Sequence, residues 1–460
     1  MRWSKGALCF VFLILLAGAA CAQEELAAQA RAALRKATLY FTTKVATHGG
    51  YLWRYTSDLT QRWGEGEATA TQIWVQPPGT PSVGMAFLRA YEVTGDQLYL
   101  EAAKDAAAAL CWGQLSSGGW HYKIDFDPEK SKRRHYRRDV EAGDTDPRGR
   151  WHISTFDDDT SQSALRLVMS VDQATGGAQP FRNAAEYGLK FMLKSQFENG
   201  AWPQCYPPVE GNYCRYYTFN DGAINDCIKT MLLAYKIYRR REYLESALRG
   251  GRFIIASQLP APQAGWAQQY DWDMKPAWAR WFEPPACCSA VTARNIRTLV
   301  DLYLETGDEK FLQPIPAAID WLGRSKIDGG TWARFYELGT NKPIYVTVDK
   351  KVVYEFKNIR PHYGWRGDFG VPSSIRYYEA VRKVGREAYL AQRDRVPTPQ
   401  EWRRKAARLA GAVRKIIAAL DEQGRWLDGE YINTSTFVQN VSRLCDYLEA
   451  VRKSEAAGGA

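Results

Sequence analysis

Two short stretches hold the residues best suited to chemistry. One is ISTFDDDTSQSAL (153–165), the other YYTFNDGAINDC (216–227). In each, a Thr-Phe pair precedes acids or an amide and then an amphipathic helix. Acids at a helix start can cap free N–H groups and suit the helix dipole. One acid would suffice for that. Asp157, Asp158 and Asp159 stand in a row and repel one another unless a cation or an arginine joins them. A third start, NTSTFVQNVSRL (433–444), keeps Ser-Thr-Phe but has Val438 and Gln439 where the acids stood, so the scaffold does not itself demand them. Hard oxygen donors without His or Cys point to calcium rather than zinc. The five histidines, at 48, 121, 135, 152 and 362, form no HExxH and no cluster, which argues against zinc catalysis.

The elements that must position these acids recur along the chain. Helices rich in Ala and Leu end in a Gly-rich turn carrying Trp and a second aromatic. The copies are GQLSSGGWHYK (113–123), SQFENGAWPQCY (195–206), SQLPAPQAGWAQQY (257–270) and SKIDGGTWARFY (325–336). GGYLWRY (49–55) reads as an earlier copy and QGRWLDGEY (423–431) as a late one. A second helix set comes after the turns, at 161–173, 223–238, 289–305 and 436–451. Thr94-Gly95-Asp96 and Thr306-Gly307-Asp308 offer Asp as a helix cap. Two helices per unit, closed by Gly-aromatic turns, imply an all-α fold, an (α/α) toroid of repeated helix pairs. Packing of helix ends is the plainer role for each Trp, and a row of them along one rim would line a sugar cleft. Residues 125–150 are dense in charge and read as a long surface loop, which could edge a cleft.

The chain has 460 residues, 45% hydrophobic, enough for a large core. Arg2 and Lys5, an apolar run at 7–17 and Ala20-Cys21-Ala22 predict a signal peptide over 1–22, with a lipid anchor at Cys21 as the lesser alternative. Secreted or periplasmic export is expected, with one domain over 23–450, a disordered tail at 451–460 and no membrane span. Net charge is +10. Outside the cytoplasm such a charge suits acidic polysaccharide better than nucleic acid, although a solvated basic surface would give it too. Seven cysteines remain after the signal. Cys205 and Cys214 could form a disulfide, with buried free thiols as the alternative. A monomer is expected.

At the acid-bearing helix starts the chain resembles the family-10 pectate lyases (pectic acid lyases). GAWPQCYPPVEGNYCRYYTFNDGAINDCIKTM (200–231) is similar to that family's WPQxYP…TFND signature. TFDDDTS (155–161), PAWARWFEPPA (276–286), TWARFYELGTNKPIY (331–345) and, more loosely, NIRPHYGWRG (358–367) resemble further blocks in the same order. The resemblance covers about residues 40–370. It implies an (α/α) toroid and cleavage of polygalacturonate by calcium-assisted anti β-elimination, with an arginine as base. It places Asp157, Asp158 and Asp221 at the calcium site, with Asp158 where the family usually has Asn. It sets Asn220, Arg280 and Arg334 against substrate and makes Arg360 the base, with Arg366 in reserve. Asn358-Ile359 stand where the family has Glu-Arg. A diverged member acting on a related polyuronate is therefore expected. Salt bridges to Glu283 and Glu337 are the plainer roles of Arg280 and Arg334. The rivals are a toroidal glycoside hydrolase using two carboxylates, a non-catalytic binder of acidic polysaccharide and a terpene-cyclase-like toroid. No DxDD-type motif in an apolar setting supports the last.

Overall fold

In this computed structural model residues 5–455 are described, with side chains from Ala22 onward. The expected signal peptide is described only as backbone from residue 5, without the side chains up to Cys21; residues 1–4 and the tail from residue 456 lie outside the described residues. In chain order the main helices are α1 (Lys5–Tyr40), α2 (Thr80–Thr94), α3 (Gln97–Gly113), α4 (Thr160–Ala174), α5 (Phe181–Lys194), α6 (Ala223–Tyr238) and α7 (Arg241–Ala256). They continue with α8 (Ser289–Thr306), α9 (Ile315–Arg324), α10 (Val371–Val384), α11 (Arg386–Asp394), α12 (Pro399–Ala418) and α13 (Thr434–Glu455). Residues 451–455, expected in the tail, are the last turn of α13. None of the described helices is long and apolar enough to cross a membrane.

The residues fall into two compact units. One comprises Met1–Cys111, Lys123–Ser131 and Val396–Ala460, the other Trp112–Tyr122 and Lys132–Arg395. The division is discontinuous because α12 and α13, late in the chain, pack on α1 and α2. In that unit Arg54–Thr56 also pairs antiparallel with Tyr431–Asn433. The segment 125–150, expected as one long loop, is divided between the units. It contains the short helices Pro128–Ser131 and Arg137–Glu141, and His135 and Arg137 are buried.

The second unit is a run of helix pairs. α4, α6 and α8 pack side by side, and each is also packed on the next helix in the chain, α5, α7 or α9. Sequence decides which helices sit inside. The outer helices bury one stripe, as in α9 with Ile315, Ala318, Trp321 and Leu322. The inner ones bury more of their circumference: in α4, Ala164, Leu165, Leu167, Val168, Met169 and Val171 are all inaccessible. Each such Leu, Val or Met contributes about 1.5–3 kcal/mol on burial. This repeat of helix pairs joined by Gly-aromatic turns is the all-α, (α/α)-toroid class expected.

The turns are built alike. Gln196 Nε2 donates to Gly200 O and to Ser246 O in the next pair, at 2.9 Å each. Gln258 does the same to Ala264 O and Pro314 O, and Gln114 to Gly118 O and Ala184 O. Four turn tryptophans donate the indole N–H to a carbonyl near the end of the preceding helix: Trp202 to Met192, Trp266 to Ile254, Trp332 to Leu322 and Trp426 to Ile416. These four rings are buried and serve packing. Gly200 is required at its turn. Its φ is +95°, and a Cβ there would lie 2.2 Å from Arg249 O. The expected caps are present too. Gly95 and Gly307 end α2 and α8 in the left-handed conformation, and Asp96 and Asp308 accept from Leu98 N and Lys310 N.

Candidate active site

The site grows from a repeated strand contact in the second unit. Thr155 N donates to Trp120 O and Phe156 N to Gln204 O. Thr218 and Phe219 make the same pair of bonds to Trp202 and Gln268, and Cys288 and Ser289 to Trp266 and Arg334. Tyr122, Gln204, Gln268 and Arg334 therefore hold one equivalent position, the second residue after a turn tryptophan.

Beyond that pair of bonds the copies diverge. α8 begins at once at Ser289. In the other unit Thr434 N donates to Trp53 O and α13 begins at once as well. After Phe156 and Phe219 the chain instead makes a left-handed turn. Asp158 has φ 47° and Asp159 φ 60°; Asp221 has φ 47° and Gly222 φ 84°. Left-handed backbone costs a non-glycine residue roughly 1 kcal/mol or more and concentrates at functional sites. This corrects the register of the third helix start. Thr434, not Phe437, occupies the place of Phe156, and Phe437 is a core residue stacked on Phe41 at 3.6 Å. Acid-free copies lack the turn altogether, so the acids come with an inserted device.

The turns bring Asp157, Asp158 and Asp221 together, with one carboxylate oxygen from each lying within 4.8 Å of the others. Asp157 is buried. Its Oδ2 accepts from Tyr122 OH and its Oδ1 from Gln204 Nε2, both at 2.6 Å. The Cys205–Cys214 disulfide adjoins Gln204, whose N–H donates to Cys214 O. The other five described cysteines are free and buried. Asp158 and Asp221 are both half-buried. Burial, then the charges of Asp157 and Asp158, push the Asp221 carboxyl up to about 7, against the pull of Arg280. Asp159 turns away to an ion pair with Arg166, which also donates to Thr230 and so ties the first turn to α6. Asn220 sits beneath, 1% exposed, its Nδ2 without a partner.

Arg280 reaches Asp221 Oδ2 at 3.1 Å and grips Glu283 through Nε and NH2 at 2.8 and 2.6 Å. The salt bridge to Glu283 and contact with the acid cluster thus coexist. Glu283 is 1% exposed and also accepts from Tyr363 OH. Burial pushes its carboxyl up, but the Arg280 bonds outweigh that and hold it below the usual range. Arg360 lies 3.7 Å over the Phe282 ring, which Arg280 also faces, and forms no ion pair among the described residues. Arg334 does not bridge to Glu337. It donates to Gly364 O and lies 4.8 Å over Tyr363. Glu337 instead accepts from the hydroxyls of Thr340 and Tyr354. Arg366 stands apart, donating to Tyr345 OH and lying over Phe356.

Sequence reasoning missed Tyr122 and Gln204, which fix Asp157. Comparing the second residue after each turn tryptophan would have found them. It also missed the exposed tryptophans, Trp151, Trp272, Trp278 and Trp281, which belong to other segments than the repeat turns.

The residues fit a hard divalent cation. All donors are carboxylate oxygens, Asp157 is held only by neutral partners, and Arg280 divides its charge between Asp221 and Glu283. Among solved structures the fold is similar to a point mutant of a family 10 polysaccharide lyase from Cellvibrio cellulosa in complex with trigalacturonic acid. Identity there is 19%, over 66% of this chain and 98% of that one, with a TM-score of 0.48. It is also similar to a GH76 alpha-mannanase from Bacteroides thetaiotaomicron, at 12% identity over 93% and 96% of the two chains and a TM-score of 0.45. No curated protein matches the sequence. Residues 126–331 match the family model for pectic acid lyase. That stretch, a little under half of the chain, holds both acid turns and the WARWFE block, and over it this protein carries the pectic acid lyase pattern.

Proposed function

We propose that this protein is a polysaccharide lyase that cleaves polygalacturonate, or a related polyuronate, by calcium-assisted anti β-elimination. The observation that carries the reading is the convergence of Asp157, Asp158 and Asp221 within 4.8 Å beside Arg280. Three acids this close suit a cation better than the two-carboxylate hydrolase arrangement, in which the pair stands about 5–10 Å apart with substrate between.

The C5 proton of a uronate becomes removable only when the neighbouring carboxylate is neutralised. Asp157, Asp158 and Asp221 would hold the calcium ion, which supplies that neutralisation when bound. Tyr122 and Gln204 keep both oxygens of Asp157 in place. Arg280, anchored by Glu283, presents a charged donor at the edge of the cluster for a substrate carboxylate. Asn220 supports the second turn from below with a spare amide donor. Arg360 is assigned the base: as the neutral guanidine it would take the C5 proton and become guanidinium while the C4–O bond to the leaving sugar breaks, since it carries no acid partner and shares the Phe282 ring with Arg280. Arg334, through Tyr363, borders the same group, and Arg366 is the reserve. The basic charge and an exported location accord with an acidic polysaccharide substrate.

The test is incubation with polygalacturonate, with and without chelator, following ultraviolet absorbance of the unsaturated product. Absorbance that rises with calcium and stops with chelator is expected. No absorbance on any of several polyuronates would sink the lyase reading, and saturated reducing ends would favour a hydrolase. Arg360→Lys should lower turnover by at least about a hundredfold while substrate still binds. Full activity in that variant would remove Arg360 from the base's role.

A further inference from the structure

Beside the acid cluster stands a second arrangement, built partly by a hairpin outside the stretch matched by the family model. The strand Pro343–Val346 pairs with Phe335–Tyr336 on one side and with Val352–Val353 on the other. Between the hairpin strands the backbone turns at 347–351, where Thr347 N donates to Lys351 O and Lys350 N to Thr347 O. Lys350 takes φ 67°, the left-handed conformation that such a turn calls for. The same strand positions Arg360, whose N–H donates to Val346 O.

Both cations converge on one ring. Lys350 Nζ lies 5.8 Å and Arg360 Cζ 5.9 Å from the Trp281 ring centroid. Trp281 is 40% exposed and comes directly after Arg280. Neither Lys350 nor Arg360 forms an ion pair among the described residues, whereas Lys351, next in the hairpin, pairs with Asp349 at 3.0 Å. A large exposed indole flanked by two unpaired cations is poorly explained by stability, since contacts of this kind at an exposed site contribute only about 0.5–1 kcal/mol. It matches one ligand chemistry closely. A uronic acid ring offers an apolar C–H face to the indole and a carboxylate to the cations, and a neutral sugar offers only the first.

We propose that Trp281 and Lys350, with Arg360 at their inner edge, form a uronate-binding subsite that holds the sugar next to the one at the acid cluster. The inference deepens the lyase reading and rests on it for the identity of the polymer. Lys350 selects for an unesterified carboxylate there, and Trp281 supplies the stacking surface.

Affinity electrophoresis of the full chain in gels containing polygalacturonate, with chelator present to stop turnover, reads binding apart from activity. Wild-type protein should be retarded by polygalacturonate and much less by its methyl-esterified form. Lys350→Ala should weaken the apparent affinity about fivefold and Trp281→Ala about tenfold, while Lys351→Ala, of equal charge change, keeps it. With calcium, KM for the polymer should rise in both variants more than kcat falls. Circular dichroism checks that each variant is folded. Equal retardation of all four proteins, an equal loss in Lys351→Ala, or no retardation of the wild type would overturn the subsite. Retardation that is lost in the two variants, from a protein that forms no unsaturated product, keeps the subsite and sinks the lyase reading. Product formation with affinity and KM unchanged in both variants does the reverse.

Discussion

Asp157 shows how much of the site depends on the residues that hold its carboxylate. Its two oxygens accept from Tyr122 and Gln204, which stand at the same place in successive turns. These donors orient the carboxylate without neutralising it, the part that outer residues play around bound metals. Gln204→Ala should therefore weaken calcium binding about tenfold with little loss of fold stability. Isothermal titration with calcium checks the first and a thermal scan the second, and unchanged calcium affinity would remove Gln204 from this role. The acids themselves were legible in the sequence as a run too dense for capping. Their clamps were not, because Tyr122 and Gln204 lie 35 and 47 residues from Asp157 and meet it only through strand pairing.

At the scale of elements, the helix starts decide where charge is stored. α6 carries Asp226 in its first turn, beside a cavity of about 660 Å3 lined also by Arg166, Lys229 and Arg294. Burial, then the charge of Asp159, push the Asp226 carboxyl up to about 6, against Arg166, Arg294 and Lys229. The folded state thus holds this proton more tightly than the unfolded chain does. The associated stability is fully present below the unfolded value near 4 and is lost as pH rises through about 6. Asp226→Asn should remove that fall, worth at most about 3 kcal/mol. Urea midpoints measured from pH 4 to 7 check it, and parallel curves for variant and wild type would contradict it. The helix pairs, their caps and their Gly-Trp closures were legible from periodicity and turn chemistry. The register of the third helix start was not, since Ser-Thr-Phe recurs at 435–437 by composition alone, while the backbone bond that defines the position falls on Thr434.

For the whole molecule, a net charge of +10 would, under the proposed function, draw in an anionic polymer. Attraction of this kind is screened over about 10 Å at 0.1 M salt. KM for polygalacturonate should accordingly rise severalfold between about 0.05 and 0.5 M salt, with a much smaller change in kcat. Steady-state kinetics at fixed calcium tests this, and a KM indifferent to salt would assign the charge to solubility alone. The sequence by itself determined the helix-pair repeat, the role of Asp96 and Asp308 as caps and the candidate acids, because each is a local property of spacing and residue type. Tertiary structure alone decided what surrounds those acids. It buried four turn tryptophans by tying their indole N–H groups to preceding helices, and left Trp281 open instead. It joined Arg280 to Glu283 and Asp221 at once, a choice that spacing could not make. It separated Arg366 from the cluster while carrying Arg360 and Lys350 to one ring, since strand pairing between distant segments, not sequence neighbourhood, fixes which cations meet.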